Sequence, residues 1–144
     1  MHSIDRISIE RECARLILKY AYLNDERNFE ALVDLFTEDA VLYRPASPGQ
    51  AIIGHSAILD AFKSRPVDVA TFHVCSDIII DIEDDSMACG RSRILLLSGT
   101  KPPGSGAVPS EAKPPVPGTF RDRFQLTESG WKFTERRGSF WVQS

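Results

Sequence analysis

Residues 19–41 read KYAYLNDERNFEALVDLFTEDAV. Apolar side chains recur at helical spacing from residue 8 up to this stretch and predict an amphipathic helix, with Ser8 as its N-cap, that ends near Asn24. Its apolar positions are Ile9, Cys13, Leu16, Ile17 and Tyr20. The polar residues 24–28 predict a tight corner, and a second, shorter helix follows. The apolar positions of the second helix are Phe29, Leu32, Val33 and Phe36. The stretch therefore predicts a pair of packed helices at the start of the fold.

The rest of the chain is mostly strand-like. Short strands are predicted at 40–43 and 52–53, and a third helix at 56–63. Residues rich in β-branched and aromatic side chains predict four long strands, at 71–82, 86–98, 119–126 and 131–142. Helices followed by an antiparallel meander indicate an α+β fold, with a curved antiparallel sheet wrapped around three N-terminal helices. Such a sheet leaves a cavity at one end, where ligands bind.

Length and composition limit the possible functions. The 144 residues predict one domain, 1–144, with a Pro/Gly-rich loop at 99–118 that is either a lid or a disordered excursion. The net charge of −3, with both signs mixed along the chain, argues against nucleic acid as a partner. Three cysteines without a CxxC motif indicate free thiols in the cytoplasm. No apolar run of membrane-spanning length is present, so we expect no membrane partner.

Motifs for cofactors and metals are absent from the sequence. It contains no phosphate-binding loop, no GxSxG and no HExxH motif, and its three histidines are dispersed. We therefore expect neither a cofactor nor a metal ion.

Four features, in order along the chain, resemble the SnoaL-like branch of the NTF2-like superfamily. They are the quoted stretch, Gly54 before Ala57 and Ile58, His73 at the start of a long strand, and the GWKF run at 130–133. The resemblance implies a cone of curved antiparallel sheet around the helices and a homodimer through the outer sheet face. Members include scytalone dehydratase, ketosteroid isomerase, a hexachlorocyclohexane dehydrochlorinase, polyketide cyclases and dioxygenase small subunits, and other members only bind ligands.

The resemblance also implies a catalytic pair. Asp25 and His73 lie where dehydratase-like and dehydrochlorinase-like members place their catalytic Asp and His. An imidazole can remove a proton next to a leaving group, while a carboxylate fixes its tautomer and stabilises the imidazolium. The alternative interpretations are a solvated corner acid for Asp25 and a core histidine for His73. Strand alternation places His73 on the same face as Asp77, so a cavity-facing His73 requires a β-bulge near 74–77 or a polar cavity.

Other residues are candidates for substrate binding or mark departures from the family. Tyr20, where isomerase-like members keep an oxyanion-binding Tyr, and Tyr43 are candidate hydrogen-bond donors, with packing as the alternative. Arg93 could hold an anionic group, although pairing across the sheet with Asp122 is favoured. Arg44 stands where isomerase-like members place an acidic base, which argues against a ketosteroid isomerase mechanism. The aromatic candidates for the pocket wall are Phe36, Phe124 and Trp141.

Two functions remain open from the sequence. The first is a cofactor-independent lyase or isomerase that uses an Asp-His pair on a small apolar cyclic or polyketide/steroid-like substrate. The second is a non-catalytic ligand-binding or dioxygenase small-subunit-like protein of the same fold. The second function predicts that the ring of His73 turns away from the cavity.

Overall fold

The computed structural model describes residues 2–101, 108–109 and 111–142. It contains three helices and seven strands in these ranges. The helices are α1 (Ser3–Asp25), α2 (Phe29–Val33) and α3 (His55–Lys63). The strands are β1 (Phe36–Tyr43), β2 (Ile52–Ile53), β3 (Val69–Ile82), β4 (Met87–Thr100), β5 (Glu111–Ala112), β6 (Val116–Thr127) and β7 (Gly130–Phe140). The α+β fold with N-terminal helices is confirmed. Most of the predicted loop at 99–118 is described, but residues 102–107 and 110 of it lie outside the described residues.

The strands form one mixed sheet in the order β2-β1-β7-β6-β4-β3, with β5 paired to β4. Most neighbours are antiparallel, but β1 and β7 run parallel. The predicted curved antiparallel sheet is therefore a mixed sheet, with this pair as the parallel one. The reason is that β1 and β7 lie far apart in the chain, so no hairpin fixes their relative direction.

Helix α1 begins six residues earlier than predicted. His2, and not Ser8, is its N-cap, and the backbone N–H of His2 donates to the Asp5 carboxylate at 3.3 Å. The first turns project into solvent, with Ile4 79% and Ile7 62% exposed. The apolar periodicity therefore marks where the helix meets the sheet, and not where the helix begins. No helix in the described part of the chain is long and apolar enough to cross a membrane.

The hydrophobic core lies between the helices and the concave face of the sheet, around the ring of Tyr20. That ring meets four phenylalanine rings edge-on, with centroids 5.9–6.2 Å away. They are Phe36, Phe62, Phe120 and Phe133. Edge-to-face contacts of this kind stabilise the packing beyond the area that they bury.

A charged pair is buried inside this aromatic core. The Nε of Arg136 lies 3.1 Å from Oδ1 of Asp122, and neither residue is more than 2% exposed. The guanidinium carbon lies 3.7 Å from the Phe120 ring centroid and 4.2 Å from that of Tyr20. The predicted pairing of Arg93 with Asp122 is wrong because Asp122 faces inward whereas Arg93 faces outward.

A β-bulge divides β3. Its pairing with β4 shifts register between Ser76 and Ile79, and Asp77 has a left-handed φ of 53°. Before the bulge His73 and Cys75 face inward, and after it the inward positions are Ile78, Ile80 and Ile82. This bulge is one of the two alternatives predicted for a cavity-facing His73, since the extra residue resets the alternation of the strand.

Candidate active site

The site begins at the corner that follows α1, whose last residue is Asp25. The chain leaves the helix through a Schellman motif, in which the Asn28 N–H donates to Leu23 O (2.9 Å) and the Arg27 N–H to Asn24 O (3.2 Å). Arg27 adopts the left-handed conformation, with φ of 61°. For a residue other than glycine this conformation costs about 1–2 kcal/mol. The corner therefore needs compensating contacts.

The side chain of Arg27 supplies those contacts. Its guanidinium donates to the carbonyl oxygens of Arg65 (2.8 Å), Val69 (3.1 Å) and Pro66 (3.3 Å). Arg65 and Pro66 belong to the connection between α3 and β3, and Val69 is the first residue of β3. Arg27 thus ties the end of α1 to the start of β3, which brings Asp25 next to β3.

The Asp25 carboxylate receives three hydrogen bonds from β3. Oδ1 lies 2.6 Å from the His73 Nδ1 and accepts from the Thr71 hydroxyl at 2.9 Å. Oδ2 accepts from the backbone N–H of His73 at 2.8 Å. Because an ionised carboxylate only accepts, the neutral imidazole of His73 carries its proton on Nδ1, which leaves the lone pair of Nε2 free. Nε2 has no hydrogen-bond partner among the described residues.

Arg65 holds the hydroxyl of Thr71 and the end of α1 in place. Its guanidinium donates to the Thr71 hydroxyl at 3.0 Å and to both the backbone and side-chain oxygens of Asn24, at 2.9 and 2.8 Å. Partial burial lowers the pKa of Arg65 and the Arg27 charge adds to that effect. These bonds orient the threonine hydroxyl toward Asp25, so the histidine ring is positioned by a chain of contacts from Arg65 to Thr71 to Asp25.

A cavity of about 270 Å³ opens in front of His73. One part of its wall is polar, from Tyr20, Asn24, Arg44, Arg65, Thr71 and His73. The other part is apolar, from Pro45, Ala46, Phe62, Ile94, Leu96, Phe120 and Phe140. Burial raises the pKa of the Tyr20 phenol to about 12, although the charges of Arg136, Arg44 and Arg65 oppose that rise. Tyr20 therefore remains a protonated hydrogen-bond donor at neutral pH.

The chain matches a protein-family model and solved structures. The family model described as SnoaL-like domain matches residues 5–137. The chain belongs to the SnoaL-like domain family. No curated protein matches its sequence.

Solved structures share the SnoaL-like fold at low identity. A candidate scytalone dehydratase from Novosphingobium aromaticivorans is 22% identical and matches with a TM-score of 0.81, covering 98% of this chain and 89% of that one. A type 2 hexachlorocyclohexane dehydrochlorinase, LinA, is 15% identical with a TM-score of 0.82, covering 98% and 90%. A candidate aromatic ring hydroxylase from N. aromaticivorans is 22% identical with a TM-score of 0.77, covering 95% and 92%. At these identities the likeness shows the fold.

Within this SnoaL-like domain, the predicted site residues fall into two groups. Asp25, His73 and Tyr20 come together as described above. Phe36 and Phe124, at 1% and 0% exposure, are packed into the core and do not line the cavity. Their aromatic character predicts burial. It does not distinguish a residue of the core from a residue of a pocket wall.

The remaining candidates lie outside the cavity. Tyr43 stacks against the guanidinium of Arg137 at 4.1 Å, and Arg93 forms an ion pair with Asp77 at 3.5 Å. Arg93 faces outward because the neighbouring positions of β4 face the core. Trp141, which follows β7, is 82% exposed. These three residues do not line the cavity.

The site also contains residues that the sequence analysis missed. Thr71 lies two positions before His73 and so shares its strand face. The alternation of the strand could therefore have identified Thr71. Arg65 lies in a loop, where no periodicity indicates its direction. In the ranges that the structure describes, no group of three or more His, Cys, Asp or Glu residues is arranged to hold a metal ion.

Proposed function

We propose that this protein is a cofactor-independent lyase or isomerase in which His73 removes a proton from a small, mostly apolar cyclic substrate. The observation that carries the proposal is the 2.6 Å contact between Asp25 Oδ1 and His73 Nδ1 in a ring that lines the cavity. This contact leaves the Nε2 lone pair as the base.

The surrounding contacts support each step of such a reaction. As Nε2 takes the proton, the imidazolium that forms lies against the Asp25 carboxylate, which Thr71 and the His73 backbone hold in place. The Tyr20 phenol is a donor for an oxygen or a leaving group that gains negative charge. General base catalysis of this kind contributes about 10²- to 10⁴-fold to the rate.

The cavity also limits the size of the substrate. Its volume of about 270 Å³ lies just below the roughly 300–1,000 Å³ typical of pockets for drug-sized ligands. A compound with one or two rings fits this space. The scytalone dehydratase and dehydrochlorinase names of two structural matches are compatible with removal of a proton next to a leaving group.

A probe reaction tests the proposed base without knowledge of the natural substrate. In the Kemp elimination of 5-nitrobenzisoxazole, a base removes the C3 proton, the N–O bond breaks and a coloured cyanophenolate forms. We expect the wild type to accelerate this reaction and His73→Ala to lose at least about 100-fold of that acceleration, as the loss of a general base implies. His2→Ala is the matched control, because His2 is exposed and lies at the opposite end of the long helix α1 from Asp25.

The same assay distinguishes the two roles in the pair. Asp25→Asn keeps the shape of the side chain but removes its charge, so it should slow the elimination without abolishing it. Equal rates for the wild type and His73→Ala would show that His73 is not the base. If His73→Ala is slower than the wild type, release of water or chloride from hydroxylated and chlorinated cyclohexanes by the wild type would identify the leaving group.

We also propose that the protein forms a homodimer through the outer sheet face. Apolar side chains on β3 and β4 are exposed there: Phe72 (64%), Val74 (43%), Leu95 (38%) and Leu97 (38%). An exposed apolar patch is typical of a protein interface. Sedimentation of the wild type beside Phe72→Lys tests this, since the lysine should yield a monomer. The same patch would serve a non-catalytic subunit role, but that role does not account for the free Nε2 at the cavity.

A further inference from the structure

We propose that the ligand of this cavity is an anion, namely an apolar ring that bears one carboxylate, and that Arg44 holds the carboxylate. The inference rests on the proposed function in one respect, which is that the cavity is the substrate site.

The charges around the cavity favour an anion. Of the described residues that line it, Arg44 and Arg65 are cationic and none is Asp or Glu. Two carboxylates lie behind the wall, and both are already engaged. Asp25 accepts three hydrogen bonds from β3, and Asp122 faces Arg136 at 3.1 Å. Asp25 offsets part of the charge of Arg65, but no carboxylate among the described residues forms an ion pair with Arg44, so the excess positive charge of the cavity lies at Arg44.

Arg44 is the free member of the two arginines. Its one hydrogen bond among the described residues runs from Nη1 to the carbonyl oxygen of Ala61, at 3.1 Å. Arg65, by contrast, is committed to Thr71 and Asn24. A guanidinium has five N–H donors in a planar fork, which matches the two oxygens of a carboxylate. The bond to Ala61 anchors one edge of the Arg44 fork and leaves other donors for a ligand.

The apolar wall accounts for the rest of the ligand. Ile94, Leu96 and Phe140 line the cavity together with the rings of Phe62 and Phe120. A carboxylate at Arg44 would therefore leave an apolar ring against these side chains, within the same cavity as Nε2 of His73.

Two small probes of matched shape test this inference by calorimetry. Benzoate and benzamide share a ring and nearly the same size, but only benzoate is charged. We expect wild-type protein to bind benzoate at least about tenfold more tightly than benzamide, since hydrogen bonds to a charged group are the strong ones. This comparison requires no variant, so it stands even if a substitution at Arg44 prevents folding.

Variants then assign the effect to Arg44. Arg44→Gln should reduce benzoate affinity at least about tenfold and leave benzamide binding unchanged, while Arg44→Lys should restore part of it. Arg121→Gln, on the exposed outer face, is the matched control. His73→Ala should still bind benzoate, so loss of the proposed chemistry and loss of anion binding are separable. Equal binding of the two probes, or full benzoate affinity in folded Arg44→Gln, would overturn the inference.

Discussion

Replacing Arg136 with methionine should make the stability of the protein depend on pH between 6 and 8. Arg136 is fully buried and lies 3.1 Å from the equally buried Asp122. Methionine is apolar and fits among the rings of Tyr20 and Phe120 on which the guanidinium stacks. The substitution therefore removes the counter-charge of Asp122 while most of the packing remains.

The size of the effect follows from the pKa of Asp122. Burial raises that pKa from the ordinary 3.8 to about 6, and Arg136 opposes the rise. Without Arg136 the pKa in the folded state rises further, so unfolding above pH 6 releases a proton. The free energy of unfolding then falls by about 1.36 kcal/mol per pH unit. In the wild type this fall ends near pH 6, so the variant loses up to about 2.7 kcal/mol relative to it between pH 6 and 8.

Urea unfolding at pH 6, 7 and 8 measures this difference. Trp131 is buried and Trp141 is exposed, so the fluorescence change on unfolding reports mainly on Trp131. At pH 8 the total cost of Arg136→Met should reach about 3–5 kcal/mol, the usual cost of breaking a buried ion pair. Arg137→Met, at the exposed neighbouring position, should show no such pH dependence. The double variant Arg136→Met/Asp122→Asn should also show no pH dependence, because it lacks the carboxyl group that titrates. A constant difference between wild type and Arg136→Met across this range would refute the reasoning.

Two further predictions concern the corner and the phenol. Arg27→Ala should lower the free energy of unfolding by about 2 kcal/mol, since it removes hydrogen bonds from a charged donor to three carbonyls. Arg27→Gly should be about 1 kcal/mol more stable than Arg27→Ala in urea unfolding, because glycine tolerates the φ of 61°. In an absorbance titration of tyrosine, Tyr20→Phe should remove the component near pH 12. Because the folded pKa of Tyr20 is raised, its contribution to stability is complete below pH 10 and is lost as pH rises towards 12.

The fold was predictable from local patterns because those patterns report burial. The periodicity of α1 from Ile9 onward and the alternation along β3 and β4 identified the elements in the right order. Helix starts were less accurate, since the exposed first turns of α1 bury nothing and so leave no apolar pattern. The direction of β1 relative to β7 depends on contacts between distant parts of the chain, which no local pattern encodes.

The candidate site was only partly predictable. The positions of Asp25 and His73 followed from the resemblance. Alternation left two arrangements for a cavity-facing His73, a bulge near 74–77 or a polar cavity, and the structure contains the bulge. Arg65 and Thr71 were missed because a loop residue and a small polar strand residue have many possible environments. Phe36 and Phe124 were expected in the pocket wall but lie in the core. An apolar aromatic residue in the sequence is equally compatible with either place.

The bulge at Asp77 has a consequence for how a mutation can change this protein. Deleting one residue there would leave β3 with a single alternation, so one half of the strand must turn over. If Ile78, Ile80 and Ile82 turned outward, each would lose up to about 1.5–3 kcal/mol of apolar burial. If the upstream half turned instead, His73 and Cys75 would move to the outer surface at a smaller loss of apolar contact. Deletion of a single codon at the bulge would thus favour a folded chain in which His73 no longer faces the cavity.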